Sequence, residues 1–338
     1  MEPDEQTNER TEFWSIITGS PWVCSIIVLA AFGISALQLG YGQAYQVVDT
    51  VRLMAPILVL IIMRWILGRE SLCDRVAPSG ISNIAWSAAL WVTIVIYFGG
   101  LGISSYIPEV VSTWPVRVVS AIGLIMLFNS TRDGIRVGWS DLGFRRSCLP
   151  RTLGYLTVIC TMFGPVIVGA LWAGAFVNLT VMTWISLLIT STMMPAFFEE
   201  ITYRGLIQEA FAAKYGSRLS GLFMASLFFG IAHIFTDSGE YNDIVLGILL
   251  CFASQFIAGL VLGAVYEATG NLAASMVLHY LYNFRVWVYH VSSYQGAATS
   301  YTWLGLYLAF IMAFLVAAWS RIRRRVRISR GPIVSSEA

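Results

Sequence analysis

The residues best suited to chemistry lie in one stretch, Pro195-Ala-Phe-Phe-Glu199-Glu200-Ile-Thr-Tyr-Arg204-Gly-Leu-Ile-Gln208, directly after an apolar run over residues 181–198. A charge at the centre of a membrane helix costs about 2.5–3.5 kcal/mol on insertion scales, so three clustered charges require an explanation. Glu200 and Arg204 are four apart with the acid N-terminal, the favourable order for an ion pair on one helix face. Glu199 is rotated by about 100° from Glu200 and has no basic residue at its own i+3 or i+4. The spacing thus predicts one neutralised carboxylate and a second one kept for chemistry.

Two histidines lie in later apolar segments. His233 ends Phe228-Phe229-Gly230-Ile-Ala-His233, and His279 precedes Asn283 by four residues, on the same helix face. Together these groups meet the needs of amide hydrolysis. Glu199 can take a proton from water that His233 holds, while His279 and Asn283 donate hydrogen bonds to the tetrahedral oxyanion. The Glu200–Arg204 pair would fix the helix and keep Glu199 ionised. His290 sits at a segment end among Trp287, Tyr289 and Tyr294 and reads as interfacial. Ser275, four residues before His279, has no flanking glycines or evident third partner and reads as a small packing residue.

Other peptide-cutting chemistries leave marks this sequence lacks: there is no HExxH, no GxGD and no Gly-x-Ser-Gly. A glutamate with two histidines can also bind Zn²⁺, but a neighbouring arginine and asparagine suit a metal-free site better. No cofactor is expected. A different class of reading, a transporter or scaffold using the polar cluster for binding, stays open at this point.

The elements that must position these groups are hydrophobic helices. Of 338 residues, 57% are hydrophobic and 12% charged, with a mean hydropathy of +0.71. Soluble domains carry about 25% charged residues, so the chain reads as an all-α polytopic membrane protein. A net charge of +2 gives no basis for nucleic-acid binding. The five cysteines, at 24, 73, 148, 160 and 251, have no metal or redox spacing. The acidic first twelve residues lack the positive region of a signal peptide. Lys214 is the sole lysine among 21 basic residues, a bias that hints at a bacterial source.

Ten spans are predicted, over residues 22–39, 51–67, 84–103, 110–128, 152–177, 181–214, 219–235, 244–266, 272–289 and 301–319. The fourth, interrupted by Pro115 and Arg117, is the weakest. The central one is longer than a bilayer requires. The eighth carries Gly259-Leu-Val-Leu-Gly263, a GxxxG face for close helix approach. Loop 129–151 holds five arginines and two aspartates, and the tail from Arg321 to Arg327 is strongly basic. By the positive-inside rule both termini and that loop face the cytoplasm. No oligomeric state is implied.

Glu199-Glu200-x-x-x-Arg204, Phe229-x-x-x-His233 and His279-x-x-x-Asn283, in this order, resemble the three motifs of the CPBP family. These are the CAAX-processing and bacteriocin-processing intramembrane glutamic endopeptidases, which include the type II CAAX prenyl endopeptidases. The similarity runs over roughly residues 141–319, with Asp141-Leu-Gly-Phe as its lead-in. It implies an N-terminal membrane region (1–140), a protease core (141–320) and a basic cytoplasmic tail (321–338). It also implies metal-independent endopeptidase activity on a membrane-associated protein or peptide, at a site inside the bilayer open to the cytoplasm. On that resemblance Glu199 and His233 activate water, His279 and Asn283 form the oxyanion site, and Glu200, Arg204 and Phe229 support them.

Overall fold

The computed structural model describes residues 81–104, 114–129, 138–145, 149–172, 180–237 and 244–291, with short helical pieces between 304 and 316. The spans predicted at 22–39 and 51–67 and the basic tail lie outside the described residues. Among the described residues there is no strand. A 3₁₀ turn, Ile81–Ile84, leads into α1 (Ala85–Ser104), followed by α2 (Trp114–Asn129) and α3 (Leu149–Trp172). Next come α4 (Val181–Tyr215), α5 (Arg218–Asp237), α6 (Ile244–Thr269) and α7 (Leu272–Val291).

Among the described residues three helices are long and apolar enough to cross a membrane, over Thr152–Gly169, Val181–Tyr215 and Gly247–Thr269. Their outward faces are apolar too: Val168, Trp172, Val181, Met182, Val245 and Leu249 are all exposed. So much exposed apolar surface would make a water-soluble monomer aggregate, whereas lipid solvates it, and the protein is an integral membrane protein. Of the other predicted spans, 84–103, 219–235 and 272–289 are helices as well. The part of the weak segment among the described residues, from Trp114 on, is helical too, with Pro115 in the first turn of α2, where its missing N–H costs no helical hydrogen bond.

α4 is the axis of the bundle. Its 35 residues would span roughly 50 Å at α-helical rise, against about 30 Å of hydrocarbon. Two segments, Ser186–Met193 and Ile201–Gln208, are wound as π-helix on either side of the two glutamates. All eight residues of the second segment are buried, so α4 is enclosed on every side there. The helix stops at Gly216, whose φ of 63° makes it a left-handed cap returning its N–H to the Ala212 carbonyl. α5 then folds back against α4.

α5 and α6 meet through the predicted glycine face. A Cβ added at Gly259 would lie 2.9 Å from Ser226 Cα, and one at Gly263 would lie 2.2 Å from Leu222 Cδ1. The close approach also lets Arg204 reach the Gly259 carbonyl, at 3.1 Å. Gly259→Ala is therefore expected to destabilise the fold by about 1–3 kcal/mol, since backbone on the facing helix cannot step aside. Gly164, with nothing within 4 Å of an added Cβ, is the control: Ala there should be neutral or slightly stabilising. Thermal unfolding in detergent reads both, and equal melting points would refute the packing account.

The Asp141-Leu-Gly-Phe stretch crosses the α6–α7 turn. Leu272 N–H donates to the Gly143 carbonyl at 2.9 Å, and Asn271 Nδ2 donates to the Arg145 carbonyl at 2.9 Å. Gly143 has φ of 96°, and a Cβ there would meet the Tyr266 ring at 2.8 Å. Only glycine fits that crossing. Phe144 then packs on Phe197, two residues before Glu199.

Candidate active site

Four helices bring the predicted residues to one buried place. α4 supplies Glu199, Glu200 and Arg204, at 3%, 0% and 0% exposure. α5 supplies Phe229 and His233, α6 the Gly259 and Leu262 carbonyls, and α7 Ser275 and His279.

Glu200 is the most heavily held group. Its Oε1 lies 3.2 Å from an Arg204 guanidinium nitrogen and 2.8 Å from His279 Nδ1. Its Oε2 accepts from the Ser275 hydroxyl, which also lies 3.0 Å from the Leu262 carbonyl. The Arg204 pairing is the one the helical spacing predicts. Its guanidinium also lies over the Phe229 ring, 4.6 Å from the centroid, so a cation–π contact offsets part of its burial.

Glu199 faces the other way, toward the two histidines. Its Oε2 is 3.8 Å from His233 Nε2 and 3.7 Å from His279 Nε2. His233 Nδ1 lies 2.8 Å from the carbonyl of Phe229, one turn back in its own helix. A carbonyl can only accept, so that nitrogen carries the proton and Nε2 presents a lone pair in the neutral ring. His279 Nδ1 likewise donates to Glu200. Both rings thus turn Nε2 toward Glu199, with Phe229 wedged against them at 4.5 and 5.9 Å between centroids.

Residues 181–285 match the family Rce1-like, type II CAAX prenyl endopeptidase Rce1-like. The matched stretch starts at the first residue of α4 and ends in α7, so it holds every member of this cluster. It is narrower than the range over which the motifs resemble the family, leaving out the Asp141-Leu-Gly-Phe segment. Comparisons with curated proteins and with solved structures gave no match.

The arrangement holds two contacts that the sequence expectation does not include. His279, which shares a helix face with Asn283, is bonded at Nδ1 to Glu200. Asn283 lies one turn further along α7, half-buried, and makes no hydrogen bond among the described residues. Ser275 is not a passive packing residue but a ligand of Glu200. Its signal was its place four residues before His279, on the same face.

A second polar group sits at the far end of α4. Arg218 grips Glu209 through two bonds of 2.7 Å and Glu267 at 2.6 Å, and Gln208 Nε2 donates to Glu267 at 2.6 Å. It ties α4, α5 and α6 together where the chain reverses. Neither glutamate stands in a motif.

Proposed function

We propose that this protein is an intramembrane endopeptidase that hydrolyses a peptide bond of a membrane-associated protein or peptide, using water activated by Glu199 and His233. One observation carries the reading: two histidines, each tied at Nδ1, aim Nε2 at the same carboxylate oxygen. The family match over the whole cluster supports it.

Separations of 3.7 and 3.8 Å are too long for direct hydrogen bonds but leave room for a water about 2.8 Å from each atom. Lone pairs from Glu199 and both rings face that point, so the water's hydrogens are what the geometry calls for. Glu199 takes the first proton as the water oxygen attacks the carbonyl carbon. The water's second hydrogen is shared between the Nε2 lone pairs of His233 and His279, and the oxyanion is stabilised by Asn283 Nδ2–H. Collapse breaks the C–N bond, and the proton held by Glu199 goes to the departing amine. No covalent intermediate is needed.

A zinc-dependent version has one observation in its favour, since metal-ligating histidines also anchor their second nitrogen to a carbonyl or carboxylate. At zinc–ligand distances of about 2.0–2.2 Å, however, tetrahedral geometry brings donor atoms to about 3.3–3.6 Å from one another, slightly closer than these. Among the described residues no three His, Cys, Asp or Glu side chains form a metal-binding group.

The experiment is cleavage of a farnesylated CAAX peptide, and of the same peptide without the farnesyl group, by purified protein in liposomes. Cleavage of either supports the reading, and the comparison decides whether the prenyl group matters. Activity is expected to survive chelation of divalent ions, with no stoichiometric metal in the active protein. Zinc at one equivalent, lost together with activity in His233→Ala, would overturn the metal-free mechanism.

A further inference from the structure

Ser275 belongs to none of the three motifs, yet it is fully buried at the centre of the cluster. Its hydroxyl lies between Glu200 Oε2 and the Leu262 carbonyl of α6. Arg204 and His279 both grip the other oxygen, Oε1. Two contacts to a single oxygen leave the carboxylate plane free to turn, because the terminal torsion of glutamate has broad minima. Ser275 holds the second oxygen with its one hydroxyl hydrogen, and the Leu262 carbonyl of α6, also an acceptor, lies 3.0 Å from that hydroxyl.

We propose that Ser275 is a positioning residue: it fixes the plane of the Glu200 carboxylate and, through it, the Nδ1–H tautomer of His279. The neutral imidazole has two tautomers, and the acceptor offered to Nδ1 decides between them. If the Glu200 plane turns, Oε1 leaves the line of His279 Nδ1 and the proton can move to Nε2. That nitrogen then presents a hydrogen toward Glu199, 3.7 Å away, where a lone pair is needed to accept from water. The inference rests on the hydrolytic reading of Glu199 for its effect on rate, though not for its effect on the tautomer.

Nitrogen-15 NMR of histidine-labelled protein in detergent micelles separates these consequences. The chain has only His233, His279 and His290, so His→Gln variants assign the signals. The wild type is expected to hold His279 as the Nδ1–H tautomer and Ser275→Ala to give a mixture. Ser275→Thr, which keeps the hydroxyl, should retain the wild-type form. His233 should be unchanged throughout, because its Nδ1 is held by its own helix. On the farnesylated peptide, kcat of Ser275→Ala should fall about tenfold, a change of ~1.4 kcal/mol in barrier, with KM little altered.

Should the alanine variant not fold, Ser275→Cys, of similar size and a weak donor, carries the same expectation. An unshifted His279 tautomer in the folded variant overturns the proposal, whatever the activity. A shifted tautomer in a protein that cleaves nothing in any form upholds the positioning role and removes the hydrolytic reading alone.

Discussion

Glu199→Gln is expected to lower peptide cleavage by about 10²–10⁴-fold, the range general-base catalysis contributes. The amide keeps the shape of the side chain and its burial at 3% exposure, so expression and melting temperature should stay near the wild type. What it loses is the ability to accept a proton from water lying between it and the two Nε2 atoms. Glu200→Gln should behave differently, since Glu200 is enclosed by Arg204, His279 and Ser275, and its loss should cost folded protein as well as rate. Initial rates on the farnesylated peptide in liposomes, normalised to folded protein, make the comparison. Cleavage by purified Glu199→Gln at the wild-type rate would remove this residue from the mechanism.

Arg204→Ala is expected to be the most damaging substitution for folding. The side chain is wholly buried, pairs with Glu200 at 3.2 Å, donates to the Gly259 carbonyl at 3.1 Å and covers Phe229. Removing one partner of a buried pair leaves the other charge uncompensated, at a cost of about 3–5 kcal/mol. A typical domain has only about 5–15 kcal/mol in all. Folded yield after detergent extraction, read as the monodisperse fraction on gel filtration, should drop sharply. Arg204→Lys restores the charge but not the forked geometry, and should recover only part of the yield. A monodisperse Arg204→Ala protein with unchanged melting and no activity would assign Arg204 to the chemistry instead.

The parts of the site legible in the sequence are those governed by helical pitch. Glu200 and Arg204, and Phe229 and His233, are each four apart, so one helix suffices to put each pair on a common face. The glycine face of α6 was readable for the same reason. Contacts between helices were not. His279 reaches Glu200 across 79 residues and Ser275 reaches it across 75, and nothing local indicates which polar group will lie opposite. The π-helical winding after Glu200 is likewise absent from the residue pattern, because an extra residue in a turn changes no hydrophobic periodicity that a short apolar segment can display. Arg218 finds its partners, Glu209 and Glu267, on two other helices, which no local spacing indicates.

The expectation of helices has a physical reason. Long apolar runs with few charges gave helices, since a bilayer admits no other backbone solution for such segments. Pro115, expected to weaken the fourth segment, lies in the first turn of α2.

The central claim, that Glu199 makes this protein a peptidase, is tested most directly by mapping protein termini in membranes of cells expressing the wild type or Glu199→Gln at equal levels. The account predicts at least one membrane-associated protein that is shortened in the wild type and full-length in the variant, with all else unchanged. Identical termini in the two membranes, with both proteins folded and equally abundant, would contradict it.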